Sequence, residues 1–299
     1  MAVRLTWGRD RLRRTLSAVL AAVLVAGCAG AGPGDGVERP RGGASAPPRA
    51  LTLPLDPYQP SPAYLDLLAR ARHTLLVRCM RRLGVNPPPT APVIPLPPAG
   101  NAQRYGLADE RDARAQGYHL PGMAPRAVKP LTALSPAQEA ALTGSGPARA
   151  GNRAVPEGGC YGEAERALDR GAPTAKDPNL GQLLGLESFA RSKQDPRVRA
   201  VFGSWSACMR RAGFSYADPM QANDDPAFRT ERPSRAEITV AVADVGCKRE
   251  VGLVDVWASV EAAYQERALD RHAGELEVVR RLLDVRRRNA ARIAAGAVR

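Results

Sequence analysis

The chain has 299 residues, of which 44% are hydrophobic and only 5% aromatic, with a formal net charge of +13. That composition supports a modest buried core in one domain or two small ones. A basic balance of this size often marks a nucleic-acid ligand, a class argued against by the export signal read next.

The chain opens with Arg4, Arg9, Arg11, Arg13 and Arg14, followed by the uncharged apolar stretch Leu16 to Ala26. An 11-residue helix would rise ~16 Å, too little for a ~30 Å hydrocarbon core, so this is a signal peptide rather than a permanent anchor. It closes on Val25-Ala26-Gly27-Cys28, which resembles the lipobox of bacterial lipoproteins. That resemblance implies cleavage before Cys28, acylation of its thiol, and a location on the extracytoplasmic face of the cell membrane. Arg13-Arg14 also resembles a twin-arginine signal, and the choice between export routes stays open. Removing residues 1–27, with five arginines and one aspartate, leaves a net charge of +9.

Residues 28–60 are rich in Gly, Pro, Ala and Arg without an apolar period, and are expected to form a tether with an r.m.s. reach of about 30 Å. Nearly everything downstream reads as helix. Ser61-Pro62 opens the first one, Leu65, Leu68, Leu75, Leu76, Cys79, Met80 and Leu83 line its apolar side, and Gly84 ends it. The Pro-rich run 85–100 cannot be helical. Shorter helices are predicted over 108–116, 136–143, 160–170 and 178–192. Asp195-Pro196 opens another that carries Val198, Phe202, Trp205 and Met209 and stops at Gly213. Ser234-Arg235-Ala236-Glu237 is a capping box. From there to about residue 295 no proline intervenes, which predicts one long bent helix or two in series, with bends marked by Gly246, Gly252 and Gly274. The fold class is mainly α, with residues 61–299 as one helical domain or as two units, 61–171 and 177–299.

Setting Cys28 aside leaves Cys79, Cys160, Cys208 and Cys247, an even number that reads as two disulfides in an exported chain. Four cysteines allow three pairings, and an internal repeat selects among them. Cys79-Met80-Arg81-Arg82-Leu83-Gly84 returns as Cys208-Met209-Arg210-Arg211-Ala212-Gly213, and Gly159-Cys160 is echoed by Gly246-Cys247. If each half is one unit, the bonds are Cys79–Cys160 and Cys208–Cys247. The rival is a metal site, but no C-x-x-C occurs and His73, His119 and His272 lie away from the cysteines, so neither metal nor cofactor is expected.

No assembled catalytic motif is present, so no catalytic residue is assigned. His73 and His272 read as surface residues. His119 ends Gly117-Tyr118-His119 in a loop after Asp109, Glu110 and Asp112, the least bland setting of the three and a candidate acid/base site. Glu163, Glu165 and Asp169 alternate with Arg166 and Arg170, which predicts ion pairing within one helix. Arg280, Arg281, Arg286, Arg287, Arg288 and Arg292 against Asp284 give +5 over thirteen residues, a candidate contact for anionic lipid or wall polymer.

The segments Trp205 to Phe214, Ala243 to Lys248, and Leu253 to Trp257 with Glu261 resemble a group of exported actinobacterial lipoproteins, as do Tyr105-Gly106-Leu107 and Gly117-Tyr118-His119. The resemblance implies export and disulfides and assigns no activity. The reading is therefore a lipid-anchored, non-enzymatic helical module whose partners are the membrane and an envelope protein or anionic wall polymer. The alternative is a cell-wall hydrolase or related envelope enzyme using His119.

Overall fold

A computed structural model describes residues 51–88, 100–119, 133–146, 149–150 and 152–296. The leader, Cys28, the tether up to residue 50 and most of the Pro-rich run lie outside the described residues. Among those described are nine α-helices and one antiparallel pair of two-residue strands, β1 Arg149–Ala150 and β2 Arg153–Ala154. The helices are α1 Pro62–Arg82, α2 Glu110–Gln116, α3 Pro136–Thr143, α4 Gly159–Leu168 and α5 Leu180–Gln194. They continue as α6 Pro196–Arg211, α7 Pro219–Asn223, α8 Arg235–Val251 and α9 Leu253–Ala294. The mainly α class is as expected.

The start signals act as read. The Ser61 hydroxyl accepts from the Tyr64 amide, and Ser135 and Ser234 each complete a reciprocal capping box, with Gln138 and Glu237. The long C-terminal run is two helices in series, divided at Gly252, whose φ of +63° ends α8. Gly246 and Gly274 lie inside helices, and the bend in α9 falls at His272 instead (φ −119°, ψ 17°).

The 42-residue α9 is the spine. Its first half, through Leu253, Trp257 and Val260, packs against α6 and α8 around Trp205, Phe202 and Met209. Its middle, through Ala268 and Leu276, receives Leu184 of α5 and Leu55. Its last turns, through Ala290 and Ile293, hold α1 and α4 by Tyr64, Leu68, Ala71 and Leu168. The apolar side of α1 carries Leu68, Leu75, Leu76, Cys79, Met80 and Leu83 as predicted, with Tyr64 and Ala71 added, while Leu65 is exposed. The predicted tether is also shorter than 28–60. Leu53 and Leu55 are buried, a 3-10 turn spans Asp56–Tyr58, and the Leu55 amide donates to Gln265 Oε1 at 2.9 Å. The alternation Leu51, Leu53, Leu55 supplies three apolar side chains that the Pro-rich composition of this stretch conceals.

Both disulfides form as the repeat indicates, Cys79–Cys160 joining α1 to α4 and Cys208–Cys247 joining α6 to α8. The equivalence extends past the cysteines. Both cysteine helices end identically, with the Val85 amide bonding Met80 O and Phe214 bonding Met209 O, while Gly84 and Gly213 take positive φ. Three residues beyond each cysteine, Arg82 meets Glu163 and Arg211 meets Glu250. Each disulfide thus has an ionic link between the same two helices beside it.

Candidate functional site

Three buried carboxylates on α8 and α9 organise the segment 100–119, which has only one short helix of its own. Glu261 accepts from the Arg104 guanidinium and from the Tyr105 hydroxyl at 2.9 Å, and Arg104 also reaches Gly185 O at 3.0 Å. Asp244 accepts from Trp205 Nε1 at 3.0 Å, the Tyr118 hydroxyl at 3.2 Å and Lys248 Nζ at 2.9 Å. Lys248 Nζ in turn donates to Leu107 O at 2.7 Å. Burial pushes the Asp244 carboxyl up and the Lys248 ammonium down, opposed in each by the partner's charge and the hydrogen bond between them, and at Asp244 also by the Trp205 and Tyr118 donors. Desolvation and the neighbouring carboxylates raise the Tyr105 and Tyr118 hydroxyls far above their ordinary range, leaving both as donors.

Glu237, fully buried, is the third carboxylate. It accepts from the Tyr118 amide at 2.9 Å and from the Ser234 amide within its own capping box. The approach requires Gly117, whose φ is +57° and ψ −130°, because a Cβ there would sit 2.5 Å from Glu237 Oε1.

His119 Nδ1 lies 2.9 Å from Glu237 Oε1, and Nε2 lies 2.8 Å from Thr230 O. A carbonyl and a carboxylate can only accept, so the ring serves both as imidazolium. Its pKa is raised from 6.5, first by the Thr230 carbonyl and then by Glu237, against the opposing effect of burial. The Asp109 and Glu110 carboxylates face elsewhere: Asp109 caps α2, and Glu110 pairs with Arg114 and Arg249. His119 borders a pocket of about 290 Å³ lined also by Tyr118, Asn223, Asp224, Asp225, Phe228, Arg229 and Thr230. Tyr118 and Phe228 stack in its wall, with centroids 5.5 Å apart. The segment 223–230, which supplies most of the pocket, carries no motif that sequence reading singles out.

The remaining candidates disperse. His73 is exposed, and His272 lies 3.4 Å from Glu275 at the bend of α9. Glu163, Glu165 and Asp169 do not pair within α4. Their partners are Arg82 and Arg72 from α1 and Arg286 from α9, because these side chains point into the α1–α4–α9 junction. Arg286 therefore leaves the outward basic set, with its Nε 2.7 Å from Asp169 Oδ1 and its other arm on Glu165. Arg280, Arg281, Arg287, Arg288 and Arg292 stay exposed on α9.

No family model, no curated protein and no solved structure matches the chain.

Proposed function

We propose that this protein is an exported lipoprotein, anchored through acylated Cys28 on the outer face of the cell membrane, that acts as a non-enzymatic binding or accessory module of the envelope. The observation that carries the reading is the pairing of all four cysteines downstream of Cys28 into two disulfides, a use of cysteine suited to an oxidising exterior. Alongside it stands the leader that ends on a small-residue cleavage site before a cysteine. The non-enzymatic part rests on how the charged groups are used. Glu237, Asp244 and Glu261 are consumed in clamping the segment 100–119. Both ring nitrogens of His119 are occupied.

Fractionation of cells tests this reading. Native protein is expected with the membranes and accessible to protease added to intact cells, and a Cys28→Ser variant is expected in the soluble exported fraction. Native protein recovered without membranes contradicts it.

A second reading, an envelope hydrolase centred on His119, draws on the pocket beside that ring. It requires His119 to release Thr230 or Glu237 during turnover. On this reading His119→Gln abolishes hydrolysis of isolated wall material. Equal hydrolysis, or equal absence of it, in wild type and variant removes the reading.

A further inference from the structure

We infer that the outward face of the last five turns of α9 docks on an anionic lipid surface, orienting the domain on the leaflet that holds its anchor. The inference rests on the lipoprotein reading above and adds to it a surface and a partner.

The arginines of this segment fall on one face. At 100° per residue, Arg280 and Arg287 form one rail, and Arg281, Arg288 and Arg292 form a second about a third of a turn away. The opposite face holds the buried Val279, Ala290 and Ile293, with Asn289 donating to the Leu168 and Arg170 carbonyls. Arg286 turns inward to Glu165 and Asp169 and contributes nothing outside. Glu277 and Asp284 are the acidic residues of the outward face, paired with Arg280, Arg281 and Arg287. Five guanidinium groups against two carboxylates leave a net +3 on one exposed strip.

The position of the leash selects the partner. Leu55 and Tyr58 pack with Leu276, which lies one helical turn before Arg280 and within about 40° of it around the axis. The first described residue, Leu51, packs against the cluster around Trp205 and Trp257, and the segment then passes through Leu55 and Tyr58 to Leu276, beside the start of the arginine strip. The 22 residues between Cys28 and Leu51 span at most ~80 Å fully extended, so the domain stays within that distance of its own leaflet. A tethered surface meets its partner at a high effective concentration, where a modest attraction is populated. At physiological salt the attraction decays over ~8 Å, so only a face pressed to the headgroups gains from it.

The test uses the full mature chain with Cys28→Ser, so that no acyl group carries it to lipid. Its binding is measured by co-sedimentation with vesicles of phosphatidylglycerol and phosphatidylcholine, and with vesicles of phosphatidylcholine alone. Binding is expected to the first and not to the second, and to fall as salt rises. Adding Arg281→Gln, Arg287→Gln and Arg288→Gln is expected to weaken it by on the order of 100-fold, about 5-fold per cation. Arg199→Gln, Arg232→Gln and Arg235→Gln, which remove equal charge from α6, the loop before α8 and α8 itself, leave it unchanged. All three side chains of the first set are exposed, and an unaltered melting curve confirms the fold. Equal binding by both triple variants overturns the proposal. So does phosphatidylglycerol binding that is absent while a soluble polyphosphate wall polymer is bound through the same arginines. An unacylated Cys28 in native protein sinks the lipoprotein reading, whatever the vesicle result.

Discussion

At Lys248 and Asp244 an ion pair sits almost wholly out of water, and its energetics follow from what each ion would be alone. Removing one partner leaves an uncompensated buried charge, a loss of about 3–5 kcal/mol. Lys248→Met and Asp244→Asn are each expected to lower urea-unfolding stability by that much. The double variant is expected to lose less than the sum, which a double-mutant cycle reads directly. His119 predicts a pH dependence of definite sign. Its folded-state pKa lies above the ordinary 6.5, so its stabilisation is complete below about pH 6.5 and is lost as pH rises through the folded value. The midpoint of thermal unfolding is expected to fall on the alkaline side in wild type, and this slope is expected to flatten in His119→Gln. Asp244 and Lys248 stand in the sequence as helix-borne charges, and such charges are ordinarily solvated. What a linear reading cannot supply is the partner. Glu165 has Arg166 and Arg170 nearby in sequence, yet it takes Arg72 and Arg286 because its side chain points into a three-helix junction.

At the level of elements, local chemistry made most of the fold legible. Ser61, Ser135 and Ser234 cap the helices they precede, and Gly84, Gly213 and Gly252 end helices in the left-handed region. The disulfide pairing was legible for a different reason: a repeat carries its connectivity with it. The loops closed span 81 and 39 residues, so on the chain-entropy relation they stabilise by about 4.5 and about 4 kcal/mol. Replacing Cys79 and Cys160 by serine is therefore expected to lower denaturant stability slightly more than replacing Cys208 and Cys247. Gly117 tests the clamp between segments. Gly117→Ala forces a side chain into a glycine-only conformation and against Glu237, with an expected loss of about 2–3 kcal/mol in the same measurement. The bend of α9 falls at His272, two residues before Gly274, the marker that the sequence offered.

Across the whole molecule, α9 ties the two stapled halves together, with Leu55 and Tyr58 packed beside its middle. The segments on which the lipoprotein resemblance rests, Tyr105 to Leu107, Gly117 to His119, Trp205, Asp244, Lys248, Trp257 and Glu261, converge on the buried network and aromatic core around α8 and α9. They are the residues that build the fold, so the resemblance they carry implies an architecture and no reaction. The pocket beside His119 was only partly legible, since Asn223 to Thr230 reach it through folding rather than through any spacing. The proposed function depends on a compartment, and one measurement reads it: intact mass and non-reducing peptide mapping of the native mature protein. The expected result is an N-terminal Cys28 carrying acyl chains, together with linked peptides Cys79–Cys160 and Cys208–Cys247. An unmodified N-terminus, or four free thiols, would contradict it.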